Sequence, residues 1–204
     1  MTTAQHLAEQ WPGERPEAAQ RLLVAAVDSF AARGFHATTT RDIATGAGMS
    51  PAALYIHYPS KAALLAEISR GGHTATLALV ERAVASSDHP VEQMRRVVEE
   101  FTAWHARGNT VGRIVNYELR ALPEEDFAVV AELRRKIEDT VKQVIEDGIR
   151  AGVFATTDTR TAARAVTGLG IDVARWYNER SSESPEQLGV RYGELVLRML
   201  GAEA

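Results

Sequence analysis

The residues with the clearest potential chemistry lie between positions 38 and 61, where hydroxyl groups, an arginine and three short side chains occur close together. Ser50, Tyr55 and Arg41 can donate hydrogen bonds to base edges or phosphate oxygens. The short side chains at 51–53 let a helix approach a duplex groove closely, and alanine methyl groups can contact thymine methyl groups. The remaining base discrimination would come from the shape of the duplex. This chemistry requires two short helices held at a fixed angle.

Caps and glycines at suitable spacings predict those two helices. Thr39 is a predicted N-cap, with Asp42 reaching back to it in a capping box. Glycines on either side of Ala47 supply a turn, because glycine tolerates positive φ and ends helices. Ser50 is a second predicted N-cap, and Pro51 follows at the first helical position, where proline is favoured. The pattern predicts a helix-turn-helix. Its two helices are expected over residues 40–45 and 51–57.

An ordered set of residues in this stretch matches the pattern of a known family. The matching positions are Gly34, Phe35, Thr38, Thr39, Asp42, Ile43, Ala44, Ala47, Gly48, Ser50, Leu54, Tyr55, His57, Tyr58, Pro59, Ser60, Lys61, Leu64 and Leu65. Together they resemble the DNA-binding signature of the TetR-family transcriptional repressors, over about the first third of the chain. Two positions depart from the usual pattern. Ile56 stands where many members carry an aromatic or polar residue, and Tyr58 replaces the usual phenylalanine.

The resemblance implies a homodimeric, ligand-responsive repressor that binds double-stranded operator DNA and is released by a small-molecule effector. It also implies phosphate contacts from Thr38, Thr39, Tyr55, His57 and Lys61. The alternative is that Tyr55 is a core aromatic and His57 an ordinary surface residue, and we expect a core position for Tyr58. The full set of DNA-binding candidates is Thr38, Thr39, Thr40, Arg41, Ser50, Pro51, Ala52, Ala53, Tyr55, His57 and Lys61.

Composition indicates an ordinary globular protein of one or two domains. The chain has 204 residues, of which 45% are hydrophobic and 25% charged, and it has no cysteine. Disulfide and thiolate chemistry are therefore excluded. No apolar run approaches the roughly 20 residues that span a membrane. The first residues also lack the basic and apolar regions of a secretory signal. We therefore expect a cytoplasmic protein with no membrane partner.

The net charge of −4 argues against a protein that coats nucleic acids without sequence specificity. Residues 1–62 hold five Lys/Arg and five Asp/Glu, which leaves 18 and 22 for the rest of the chain. The candidate DNA-binding part is thus neutral rather than basic. We expect its phosphate contacts to come from helix N-termini and hydroxyls, with a modest salt dependence.

Apolar spacing predicts that the rest of the chain is helical as well. No stretch shows convincing strand alternation, so the expected fold is all-α with about nine helices. We expect a flexible extension over 1–15, a three-helix helix-turn-helix DNA-binding domain over 16–62, and a ligand-binding and dimerisation domain over 63–204. Besides the two short helices, the predicted helices are 15–33, 60–87, 91–107, 112–121, 124–151, 159–177 and 185–200. Two glycines at 71–72 interrupt one of these, as a tolerated weak spot or as a hinge.

Aromatic residues of the predicted domain over 63–204 could together line an effector cavity. Each of them taken alone is more typical of a core residue. The segments ELRALPEED and DVARWY loosely resemble a TetR subgroup whose members respond to acyl-CoA thioesters or other apolar catabolites. Arg134 could meet a ligand phosphate or carboxylate, and pairing with nearby acids on a solvated face is the alternative. The pocket candidates are Met94, Phe101, Trp104, Tyr117, Phe127, Arg134 and Trp176.

Small side chains in the last two predicted helices suggest a dimer interface, because they allow helices to approach closely. In the TetR family, two such helices from each chain form a four-helix bundle. A twofold dimer would place two recognition helices about 34–36 Å apart, which predicts a palindromic operator. The interface candidates are Ala162, Val166, Gly170, Ala174, Leu195 and Met199.

Signatures of enzymes, metals and cofactors are missing from the sequence. It contains no G-x-S-x-G, no H-E-x-x-H and no P-loop, and its six histidines include no i, i+4 pair. We therefore expect no enzymatic activity, metal or cofactor. Two alternatives stay open. The first is an all-helical CoA-type carrier or enzyme with an incidental helix-turn-helix, and the second is an effector-independent DNA-binding activator.

Overall fold

The computed structural model describes residues 7, 15–178 and 180–202. This part of the chain forms nine α-helices and one 3₁₀ turn, without any β-strand, which confirms the predicted all-α fold. None of its helices is long and apolar enough to cross a membrane. The helices are α1 (Glu17–Ala37), α2 (Thr40–Gly46), α3 (Pro51–His57), α4 (Lys61–Ala85), α5 (Pro90–Arg107), α6 (Asn109–Tyr117), α7 (Glu124–Arg150), α8 (Thr159–Trp176) and α9 (Pro185–Met199), and the 3₁₀ turn is Leu119–Ala121.

The main departure from the predicted helix boundaries occurs around α6. The helix was expected over 112–121, but it begins at Asn109, directly after α5. Gly108 alone makes the turn between the two helices, and the Asn109 side chain donates a hydrogen bond to the Ala106 carbonyl at 3.1 Å. Gly71, predicted to interrupt a helix together with Gly72, lies within a continuous α4, where both glycines are buried. The hinge therefore stays a prediction.

The chain divides into two compact units. The first comprises the chain up to Ala75 together with Thr110–Ala131, and the second comprises Thr76–Asn109 together with the chain from Glu132 onward. These ranges differ from the functional division predicted between residues 62 and 63, which stays a prediction.

A single apolar core holds the helices of the first unit together. Leu22, Val27, Ile43 and Leu54 are all 0% exposed and pack in this core. The predicted extension over 1–15 lies outside the described residues except for Leu7 and Arg15. Leu7 is buried in the same core at 2% exposure, so this residue at least is part of the folded unit.

Glycines allow close helix packing in the second unit. A Cβ atom at Gly189 of α9 would lie 2.5 Å from the Glu99 carbonyl oxygen of α5, and one at Gly170 of α8 would lie 2.4 Å from the Phe101 ring. Both distances are shorter than any real contact of a Cβ atom. Because only hydrogen fits at these two positions, α8 and α9 can approach α5 more closely than larger residues would permit.

A buried histidine lies in the same part of the second unit. His105 of α5 is 6% exposed, and its Nδ1 lies 2.8 Å from the Phe101 carbonyl oxygen. Its ring lies 4.4 Å from the Phe101 ring, measured between centroids. Burial lowers the pKa of His105 to about 4, since a charged imidazole would lose its hydration, and the positive charge of Arg134 acts in the same direction. His105 is therefore neutral at physiological pH.

Acidification should destabilise the protein through His105. The unfolded chain takes up a proton near the ordinary pKa of 6.5, whereas the folded chain does so only near about 4. The full contribution is therefore present above pH 6.5 and is lost as the pH falls toward 4, amounting to about 3 kcal/mol. Urea denaturation measures the free energy of unfolding at about pH 7 and at about pH 5. Between these pH values, the free energy of unfolding should fall by about 2 kcal/mol less in His105→Gln than in the wild type.

The exposed His89 provides the control for this experiment. His89→Gln removes a histidine from the surface, so its stability should follow the wild-type dependence on pH. An equal loss of stability in His105→Gln and wild type would contradict the assignment of a neutral, buried imidazole.

Candidate nucleic-acid interface

The start of α2 has the predicted capping box. The Asp42 N–H donates to the Thr39 hydroxyl oxygen at 3.1 Å, and the Thr39 N–H donates to the Asp42 carboxylate at 2.8 Å. Hydrogen bonds from the Thr39 side chain and backbone, with the nearby Arg33 charge, hold the pKa of Asp42 below its ordinary value. These reciprocal bonds satisfy N–H groups that the first turn of a helix leaves free.

The start of α3 also confirms its predicted chemistry. The Ser50 hydroxyl oxygen accepts a hydrogen bond from the Ala53 N–H at 3.2 Å, and Pro51 occupies the first helical position. Gly48 adopts φ +67° in the turn between α2 and α3, a conformation that glycine reaches without strain. Leu54 is the fully buried residue of α3. Its burial determines which face of the short helix points outward.

The outward surface of α2 and α3 brings several of the predicted DNA-binding residues together. Tyr55 is 53% exposed, which excludes a core role, and its hydroxyl lies 3.2 Å from the Thr40 hydroxyl. Arg41 is exposed and forms no ion pair with any residue that the structure describes. The other candidates at this surface are Thr39, Ser50, Pro51 and Ala52, which are exposed, and Ala53 and His57, which are partly buried.

Thr38 has a different role from the phosphate contact that the resemblance implies. It is 1% exposed, and its hydroxyl donates to the carbonyl oxygens of Gly34 at 2.8 Å and Ser29 at 3.1 Å. Gly34 has φ +77° and ψ 162°, which breaks the regular course of α1 and exposes these carbonyls to side-chain donors. The Thr38 hydroxyl therefore braces the end of α1 and is not available to DNA.

Lys61 also turns inward. Its Nζ donates to the carbonyl oxygens of Phe35 at 2.8 Å, His36 at 3.1 Å and Thr38 at 2.8 Å. The same atom lies 4.6 Å from the centroid of the Phe35 ring, within the range of a cation–π contact. An ammonium group has three N–H donors, so all three are engaged within the protein. Lys61 therefore has a structural role in this arrangement, and its phosphate contact stays a prediction.

The two departures from the family pattern differ in their surroundings. Tyr58 packs against the first-unit core, as expected, and burial raises the pKa of its phenol. Ile56 is 80% exposed, and the set of DNA-binding candidates omitted it. A signal was present in the sequence, because Ile56 follows the buried Leu54 by two positions, and such residues face opposite sides of a helix.

The predicted pocket residues differ in burial and are divided between the two units, and their role in a pocket stays a prediction. Met94 and Phe101 are buried in the second-unit core, Trp104 packs against it, and Trp176 of the same unit is 42% exposed. Arg134 of the second unit is half-buried, and burial lowers the pKa of its guanidinium. The first unit holds the other two candidates, Tyr117 and Phe127, at 52% and 46% exposure.

A small cavity lies between α5, α7 and α8 in the second unit, with a volume of about 10 Å³, which is about the space of one water molecule. Of the pocket candidates, Phe101 alone lines it. The hydroxyl of Thr102 lies at this cavity and is buried without a hydrogen-bond partner among the described residues. Sequence reasoning missed Thr102, although it is a polar residue on an apolar helix face, four positions after Val98. The lining residues are Val97, Val98, Phe101, Thr102, Val141, Val166 and Thr167.

The dimer candidates divide into two groups. Val166 and Ala174 are 5% and 1% exposed, Gly170 is buried against Phe101, and Ala162 packs on the second-unit core. Val166, Gly170 and Ala174 therefore pack within their own chain and are not available to a second copy, whereas Ala162 is only partly buried and its place in an interface stays a prediction. The remaining candidates, Leu195 and Met199 of α9, are 45% and 43% exposed.

Removing the Lys61 ammonium should destabilise the first unit. In Lys61→Met, the carbonyls that end α1 lose their shared donor, and we expect unfolding to require about 2 kcal/mol less free energy. Lys136→Met removes a lysine from an exposed helix surface and should change stability by less than about 0.5 kcal/mol. Chemical denaturation of both variants measures this difference. An unchanged stability in Lys61→Met would restore Lys61 as a candidate for phosphate contact.

Two family models match the chain: "Bacterial regulatory proteins, tetR family" over residues 22–68 and "Tetracyclin repressor-like, C-terminal domain" over residues 87–200. The HTH-type transcriptional repressor KstR2 of Rhodococcus jostii (strain RHA1) is 29% identical over 178 residues, which cover 86% of this chain and 87% of that protein. A crystal structure of a bacterial regulatory protein in the tetR family from Rhodococcus RHA1 is 40% identical, with a TM-score of 0.89, and covers 93% of this chain and 100% of that one. The structure of the ketosteroid transcriptional regulator KstR2 of Mycobacterium tuberculosis is 26% identical, with a TM-score of 0.84, over 94% and 98% of the two chains. This chain therefore belongs to the TetR family of bacterial regulatory proteins.

Proposed function

We propose that the protein is a homodimeric transcriptional repressor of the cytoplasm. In this proposal it binds a palindromic operator and releases it when a small apolar or acyl-CoA-type effector binds. The observation that carries the proposal is the outward surface of α2 and α3, where the hydroxyls of Thr40 and Tyr55 lie 3.2 Å apart. On a scaffold of this family, such a surface suits the major groove and flanking phosphates of duplex DNA.

Different side chains at this surface would contact phosphates and base edges. The paired hydroxyls of Thr40 and Tyr55 suit phosphate oxygens, which accept hydrogen bonds from neutral donors, whereas the Thr39 hydroxyl already donates to the Asp42 carboxylate at 2.7 Å. Arg41 adds one positive charge, and His57 lies at the end of α3. Ser50 and the small residues that follow it form the part of α3 that can approach base edges closely. With few cations at this surface, the dependence of affinity on salt should be modest.

Apolar residues on α9 support the proposed dimer. Leu195 and Met199 are four residues apart, so they lie on the same face of the helix, and they are 45% and 43% exposed. On α8, a Cβ atom at Gly168 would meet nothing within 4 Å, which leaves room for a partner helix to approach. A second copy would remove both faces from water. The twofold symmetry of such a dimer would match a palindromic operator.

The tightness of the second unit suggests how an effector could act. The cavity between α5, α7 and α8 holds about 10 Å³, far below the roughly 300–1,000 Å³ of small-molecule sites. An effector at this place would have to bind a conformation in which these helices stand further apart. It would thereby shift the population away from the present arrangement, and the DNA affinity would change with it. The buried hydroxyl of Thr102 would offer the effector a hydrogen bond.

Replacing Tyr55 should weaken DNA binding without unfolding the protein. Tyr55→Ala removes the aromatic surface and the phenol hydroxyl at the centre of the proposed interface, and we expect about tenfold weaker binding. Because the side chain is 53% exposed, the free energy of unfolding should stay within about 1 kcal/mol of the wild-type value. Gel shift on a duplex that the wild type enriches from a random-sequence pool measures the affinity.

Tyr117 provides the matched control, because it is 52% exposed and lies outside the helix-turn-helix. Tyr117→Ala should keep the wild-type affinity for the same duplex. Failure of the wild type to enrich any duplex would contradict DNA binding altogether. Equal affinity of Tyr55→Ala and wild type would show that DNA binds elsewhere.

An acidic residue at Leu195 should dissociate the dimer. Leu195→Asp places a charge on the proposed interface, where burial without a partner is costly, so the variant should be monomeric at micromolar concentration. Val190→Asp is the control. Val190 is 46% exposed on the same helix, but it lies about 140° from Leu195 around the helix axis. Native mass spectrometry distinguishes the two masses and also detects a co-purified effector. A monomeric wild type would contradict the proposed dimer.

A further inference from the structure

Ile56 occupies the outermost position of α3. Leu54, two residues earlier, is 0% exposed and lies in the first-unit core, whereas Ile56 is 80% exposed. Two helical residues are separated by about 200° around the axis, so Ile56 points almost directly away from the core. Ala52, four residues before Ile56, lies on the same face and is exposed too. The outer ridge of α3 is therefore apolar.

This ridge has a specific chemical use in a major groove. Neither Ala52 nor Ile56 can donate or accept a side-chain hydrogen bond, so neither can pair with the polar edges of guanine or cytosine. Among the four bases, thymine alone presents a methyl group in the major groove, and apolar side chains contact it. The small side chains of Pro51 and Ala52 leave the end of the ridge unobstructed. The larger Ile56 then projects furthest toward the bases.

We propose that Ile56 is a specificity-determining residue that reads a thymine methyl group in each half of the operator. The inference rests on the proposed DNA binding and deepens it, because it names the base feature that is recognised. It also assigns a role to an exposed isoleucine that packing within its own chain does not explain. The operator should accordingly carry thymine at one symmetry-related pair of positions beneath the recognition helices.

The test removes the thymine methyl group from the duplex and, separately, the isoleucine side chain beyond Cβ from the protein. A duplex enriched by the wild type from a random-sequence pool is resynthesised with deoxyuridine replacing thymine at each symmetry-related pair of positions in turn. Deoxyuridine keeps the base pairing and lacks only the methyl group. At one pair, wild-type affinity should fall about fourfold per half-site, or about 15-fold for both, as expected for burial of one methyl-sized group. Ile56→Ala should bind more weakly and should not distinguish the two duplexes at that pair.

Ile149→Ala serves as the matched control. Ile149 is an exposed isoleucine of α7 in the second unit, so this variant should keep the wild-type sensitivity to deoxyuridine. Loss of sensitivity in Ile56→Ala alone supports the inference.

Two results would overturn the inference while leaving DNA binding intact: no position at which deoxyuridine weakens the wild type, or a sensitivity that persists unchanged in Ile56→Ala. A wild-type protein that enriches no duplex from the pool would overturn both the proposed function and this inference.

Discussion

The carbonyl groups at the end of α1 impose the constraint on which the DNA-binding surface depends. Two of them, from Phe35 and His36, converge with the carbonyl of the following Thr38 on the single ammonium group of Lys61. The Thr38 hydroxyl binds two further carbonyls from the inside. The last carbonyls of a helix have no partner within it, and leaving such groups buried and unpaired is costly. Satisfying them together determines where the chain leaves α1 and how α2 begins.

The recognition helix inherits its orientation from this junction. A seven-residue helix such as α3 is too short to be stable alone, so its caps start it and the burial of Leu54 orients it. Ile56, opposite Leu54, and Tyr55 beside it are then presented to solvent. Because this face has few charged or amide groups, selectivity would come from methyl contacts and duplex shape rather than from bidentate hydrogen bonds.

Small residues of the second unit suggested a dimer interface in the sequence, but several of them allow close packing within their own chain. Gly170 and Ala174 are buried, and Gly189 lets α9 approach the backbone of α5. A small side chain permits close approach of any helix, whether it belongs to the same chain or to a second copy. Only the positions left exposed after the core has formed, such as Leu195 and Met199, remain available to a partner. The same close packing reduces the cavity near Thr102 to about 10 Å³.

The sequence by itself determined most of the helices, the N-caps at Thr39 and Ser50 and the turn between them, because each depends on residues close together in the chain. The tertiary structure alone decided which polar groups stay free for a ligand. Lys61 was predicted to contact phosphate, and the structure shows that its ammonium group binds three carbonyls, among them that of Phe35, 26 residues away in the chain. Ile56 was omitted from the predicted DNA-binding residues, although it is the most exposed large apolar side chain of α3. Hydrogen-bond partners and solvent exposure are set by residues brought together in folding, and local spacing carries little information about them.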